Sequence, residues 1–147
     1  MPTLFKKILC PIDFDDNSLA ALDSALHLAQ ESGATLYVMN VVFQPLATPG
    51  FPLEPGPVVS EEPSRRALEE VARERLHGKA HYELLIRIGK PAELINQAAE
   101  ELDVDLIVMA THGRTGVGHL FLGSVAEHVV RTAKRPVLTI RPVHSLS

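Results

Sequence analysis

The chain has 147 residues, 46% hydrophobic and 22% charged, which fits one globular domain able to bury a core of its own. A formal net charge of −4 excludes a global basic field for nucleic acid or anionic lipid. The opening stretch from Met1 to Pro11 has too short an apolar run for a signal peptide or membrane span, and a single cysteine excludes an intrachain disulfide. The expectation is a cytoplasmic protein without nucleic-acid or membrane partners.

Strand-like and helix-like patterns alternate along the chain. Ile8-Leu9-Cys10-Pro11-Ile12 is a short continuous apolar run, as expected for a strand buried on both faces, with Cys10 as a small core residue. Leu19, Leu22, Ala25, Leu26 and Ala29 then follow helical spacing. Asp15, Asp16, Asn17 and Ser18 offer capping oxygens at the start of that helix, and Gly33 offers a C-terminal stop. Thr35 to Val42 reads as the second strand. Phe43 to Ser60, with five prolines, is the long irregular stretch: a crossover loop, or a flap over a ligand site.

Leu68, Val71, Ala72, Arg75 and Leu76 mark a second helix ending near Gly78, with a charged solvated face. Tyr82 to Ile88 forms a third strand whose partial alternation predicts a sheet edge. Pro91 fits the first turn of a third helix, whose buried stripe is Leu94, Ile95, Ala98, Ala99 and Leu102. Leu106 to Met109 is a fourth strand. A glycine-rich loop follows, then a helical pattern over Val125, Ala126, Val129, Val130 and Ala133, and a last strand over residues 136–141. The alternation predicts a single α/β domain over 1–147: a five-stranded, mainly parallel sheet with four helices on two faces, Rossmann-like; with strands one and four as central neighbours its order is 3-2-1-4-5.

In such a fold, ligands bind beyond the carboxyl ends of the strands, where the winding reverses. Asp13, after the first strand, can accept a hydrogen bond from an exocyclic amine or a sugar hydroxyl, or act as a turn carboxylate. Backbone groups near Val41 can read the edge of a flat base, with Pro11, Ile12 and Met109 as its walls. The stretch from Ala110 to Ser124 combines glycines with a helix start, where free amides attract anions. Ser124 adds a hydroxyl, or caps the helix; Arg114 and His119 can offset phosphate charge. The seven histidines show no metal-ligand spacing.

Several segments resemble the universal stress protein family. They are Lys7-Ile8-Leu9-Cys10-Pro11-Ile12-Asp13, Lys90-Pro91-Ala92-Glu93-Leu94-Ile95, Thr111-His112-Gly113-Arg114-Thr115-Gly116 and Arg135-Pro136-Val137-Leu138. The family's ATP-binding pattern is glycine, two residues, glycine, nine residues, then glycine and serine or threonine. Here it reads Ala110, two residues, Gly113, nine residues, Gly123-Ser124, with alanine in the first glycine's place. The resemblance implies Asp13 and Val41 at adenine, and Gly113, Gly123, Ser124 and Val125 at the phosphates, with Arg114 and Gly116 in the same loop. It implies ATP as ligand, with Mg²⁺ or Mn²⁺ carried by the phosphates, and a homodimer built through the last strand. It further implies a stress-signalling module acting on a protein partner that the sequence does not name.

Two other classes remain open. One is an interaction module that has lost nucleotide binding, for which Ala110 speaks. The other is a slow ATP hydrolase or phosphotransferase. Against turnover stands the absence of any Lys, Asp or Glu between Ala110 and Ser124.

Overall fold

The computed structural model describes residues 4–43, 60–111 and 123–141. Among them, strands and helices alternate: β1 (Lys7–Pro11), α1 (Asp16–Ser32), β2 (Thr35–Phe43), α2 (Glu62–Arg75), β3 (Tyr82–Gly89), α3 (Pro91–Leu102), β4 (Leu106–Ala110), α4 (Ser124–Thr132) and β5 (Val137–Ile140). The strands form one sheet in the order β3-β2-β1-β4-β5, and every neighbouring pair is parallel. The expected α/β architecture and strand order are those observed.

Strand alternation divides the core between two faces. Ile8, Cys10 and Ile12 of β1 and its extension pack with Leu36, Val38, Leu106 and Val108 against the apolar stripe of α1 and α2. Leu9, Tyr37, Met39, Ile107 and Met109 point the other way, onto Ile95, Ala98 and Ala99 of α3 and Val129 of α4. Burial of Cys10 pushes its thiol well above the usual range, so it is inert packing. Leu94 and Leu102 of the predicted α3 stripe are half-buried. Val130 departs from expectation: it is 45% exposed, because the short helix α4 turns a narrow stripe of Ala126 and Val129 to the sheet.

The helix ends obey local chemistry. Asp15 is the N-cap of α1, its carboxylate accepting from the Ser18 amide at 2.8 Å. Gly33 ends that helix in the left-handed region at φ 69°, as predicted. Phe43, assigned to the irregular stretch, is the last residue of β2; residues 44–59 lie outside the described residues. Asp23 of α1 receives two hydrogen bonds from Arg75 Nη1, at 2.9 and 2.8 Å, and so joins α1 to α2.

A gap in the ladder separates the two halves of the sheet. The Asp105 amide donates to Lys7 O, whereas the Ile12 amide donates to Met39 O and the Thr35 amide to Lys6 O. Odd residues of β1 therefore turn their peptide groups to β4, and even residues to β2. The β1–β4 register stops at Leu9↔Ile107. The next rung would need an N–H at residue 11, and Pro11 has none. On the other side β1 stays paired with β2 through Pro11↔Met39.

β3 meets α3 through a single residue, Lys90. Gly89 makes that turn at φ 146°, and a Cβ there would lie 3.0 Å from Leu94 Cδ1. Gly89→Ala should lower stability by about 1–3 kcal/mol, from backbone strain and the displaced Leu94. Urea unfolding checks this, and an unchanged midpoint would contradict it.

Candidate functional site

Beyond the parted ends of β1 and β4 lies a cleft of about 290 Å³, near the lower end of the range for small-molecule sites. The residues following β1 form one side: Pro11, Ile12 and Asp13. Val41 of β2 enters from the left of the switch point, and Met109 and Ala110 of β4 from the right. Gly123, Ser124 and Val125 close it from the start of α4. All nine predicted site residues that lie among the described residues thus line one cleft. Gly113, Arg114 and Gly116, with His112 and His119, lie outside the described residues.

The phosphate-side half is built by a helix start. Glu127 N–H donating to Gly123 O is the first bond of α4. The amides of Ser124, Val125 and Ala126 therefore have no partner within the helix, and all three residues line the cleft. The helix dipole adds positive potential at the same end. This end is fixed in place because the Gly123 amide donates to Thr111 O, while the Thr111 amide donates to Ile140 O on β5. Ser124 is exposed and occupies the first helical position, not the cap; Gly123 is the N-cap, with no side-chain capping bond.

The acidic half is set by the β1–α1 turn. The Asp13 amide donates to Ser18 Oγ at 3.2 Å, and Asp13 Oδ1 accepts weakly from the Asp15 amide at 3.3 Å. Asp13 thus performs turn duty and lines the cleft at once. Phe14 carries the chain round in the left-handed region at φ 68°, while its side chain packs on the α1 side of the core. Burial raises the Asp15 carboxyl above its ordinary value. The Asp13 carboxylate pushes the same way, and the hydrogen bond from the Ser18 amide opposes both. Asp13 is the only ionisable side chain among the described residues lining the cleft.

Sequence reasoning missed five lining residues: Ser18, Pro91, Ile95, Thr111 and Ala126. Ile95 and Ala126 were assigned to core stripes, Pro91 to a helix start and Ser18 to capping. Ile95, Ala126 and Pro91 keep those roles, whereas Asp15 takes the cap and Ser18 lies inside the helix; helical periodicity does not reveal that the stripe also opens on a cavity. Pro91 carried a usable signal, since the first turn of α3 must sit at the carboxyl end of a parallel sheet. Ser18 is buried, with Oγ accepting from the Asp13 amide and donating to Asp15 O at 3.1 Å. Ser18→Ala leaves the Asp13 amide without its partner and should cost about 1–3 kcal/mol of stability. A denaturant titration measures it; a loss within error of zero would show that this turn does not depend on the hydroxyl.

A doubly wound sheet with a helix-start cradle at its switch point defines a class of small-ligand-binding α/β domains. The sequence comparison is specific about which. Residues 4–141 match the model of the universal stress protein family. A universal stress protein of Methanocaldococcus jannaschii is 40% identical over 145 residues, covering 94% of this chain and 83% of the relative. This chain belongs to the universal stress protein family.

Solved relatives share the fold. A universal stress protein in complex with cAMP superposes with a TM-score of 0.71 at 26% identity, covering 93% of this chain and 97% of the other. One from Archaeoglobus fulgidus in complex with dAMP gives 0.61 at 25% identity, covering 93% and 98%. No helix among the described residues is long and apolar enough to cross a membrane.

Proposed function

We propose that this chain is an ATP-binding universal stress protein, acting in the cytoplasm as a nucleotide-dependent signalling module. The observation that carries the reading is the convergence of Asp13, Val41 and the free amides of Ser124 to Ala126 on one cleft. Adenine lies towards Asp13 and Val41, between Pro11, Ile12 and Met109. The phosphates lie along Gly123, Ser124 and Val125, continued by Gly113, Arg114 and Gly116. The cAMP and dAMP complexes of the two relatives support an adenine nucleotide as the ligand class.

A metal ion would enter on the phosphates. The donor set favours this, because no group of three or more His, Cys, Asp or Glu among the described residues is placed to hold one. Mg²⁺ or Mn²⁺ would then take phosphate oxygens and water as ligands. The Ala110-to-Ser124 segment offers neither a lysine nor a carboxylate for phosphoryl transfer, so the proposed role is holding the nucleotide rather than cleaving it. A homodimer through β5 and a protein partner that senses occupancy complete the proposal. β5 is an edge strand, and its Leu138 is 40% exposed.

The test begins with the purified protein: denature it, identify any released nucleotide by mass, and titrate ATP against AMP. The expected result is adenine nucleotide in the released fraction and saturable ATP binding. The absence of both released nucleotide and ATP binding at millimolar concentration would remove the proposal and leave an interaction module.

Gly123→Val places a β-branched side chain where the phosphates pass. ATP affinity should fall by about tenfold or more, the equivalent of ~1.4 kcal/mol. Calorimetric titration of a folded variant with undiminished affinity would show that the phosphates lie elsewhere.

A further inference from the structure

The β1–β2 ladder ends one rung early, and a side chain bonds the carbonyl that the missing rung would use. Thr35 N–H donates to Lys6 O and Leu36 N–H to His81 O, so odd residues of β2 turn their peptide groups to β1 and even residues to β3. Ile12 N–H reaches Met39 O at 2.8 Å. In a parallel ladder the following rung is Val41 N–H on Ile12 O. It is not made. Asn40 Nδ2 donates to Ile12 O instead, at 2.8 Å, and Asn40 is 6% exposed.

The amide is locked from its other end. Ser64 Oγ, in the first turn of α2, donates to Asn40 Oδ1 at 2.6 Å. The Ile12 carbonyl can only accept, so the Asn40 amide has one orientation that satisfies both partners. Beyond Ile12 the chain turns away through Asp13 and Phe14. The Val41 N–H and C=O, both aimed at β1 by strand parity, therefore face the end of β1, where the cleft begins.

We propose that Asn40, held by Ser64, is a positioning residue that keeps the Val41 peptide groups free to read the edge of an adenine; this deepens the adenine-nucleotide reading and rests on it. One backbone N–H and one C=O on the same side match an acceptor ring nitrogen beside an exocyclic amine. Hypoxanthine presents the reverse, a ring N–H beside a carbonyl, and is rejected. The link runs through α2, so the first turn of that helix is coupled to base recognition although Ser64 does not line the cleft.

Two measurements test this. The first is amide hydrogen exchange in the ligand-free protein. Val41 should exchange at least about a hundredfold faster than the ladder-bonded residues of β2. In Asn40→Ala the Ile12 carbonyl is released, the rung closes, and Val41 exchange should slow by about tenfold or more. A Val41 amide as protected in the wild type as Met39 overturns the proposal.

The second is the ratio of ATP to ITP affinity, with inorganic tripolyphosphate as control. Ser64→Ala should reduce the ATP preference about tenfold, Ser64→Thr should retain it, and tripolyphosphate affinity should not change. A purely structural role would lower all three affinities together, and that result overturns the proposal. So does an unchanged ratio in folded Ser64→Ala. If Asn40→Ala does not fold, Ser64→Ala carries both measurements. A wild type that binds neither ATP nor ITP removes the adenine reading and the base-reading role with it. Hydrogen exchange then still decides whether Asn40 holds the rung open.

Discussion

A missing hydrogen-bond donor governs the architecture of this site. Pro11 sits near the end of the central strand, facing β4, where the next rung of the ladder would require an N–H. Without it β1 and β4 cannot stay paired to their ends, and the sheet opens at the point where its winding reverses. Every other component of the cleft is placed around that opening. Proline in an inner strand ordinarily destabilises a sheet; here it falls where the ladder has to stop.

The two sides of β1 are ended by different means. Towards β4 the backbone lacks a donor, and towards β2 the Asn40 side chain occupies the acceptor. The first device is covalent and permanent. The second depends on a rotamer held by Ser64, and so on the packing of α2. The same short stretch, Pro11 to Asp13, therefore receives constraints from three elements: β2, α2 and, through Ser18, α1. Phe14, in a backbone region costly for a bulky residue, lets the chain leave the sheet directly after Asp13.

The opposite half of the cleft depends on helix ends. Free amides at the start of α4 provide donors that no side chain needs to supply, and their dipole acts without a formal charge. This suits a site whose described lining holds one ionisable group, Asp13. A cradle made mainly of backbone groups binds a phosphate chain without the lysine or carboxylate that transfer chemistry demands.

The sequence by itself determined the class of fold, and with its family resemblance it carried the strand order and most residues that line the cleft. Periodicity marks the strands and helices because burial of one helix stripe, or of both strand faces, is a local requirement written in residue spacing. Asp13 and Val41 were legible because the carboxyl ends of parallel strands must share one rim, Gly123 and Ser124 because they open a helix after a glycine-rich loop, and Val125 through the family resemblance alone. Only the tertiary structure decided the rest. Val130 fits a helical stripe, yet the fold leaves it exposed. Ile95 and Ala126 look like core and also line a cavity, since a packed face can end at an opening that periodicity does not encode. Asn40 reads as one polar residue in an apolar strand. Its role follows from partners 28 and 24 residues away, a relation that exists only once β1, β2 and α2 are assembled.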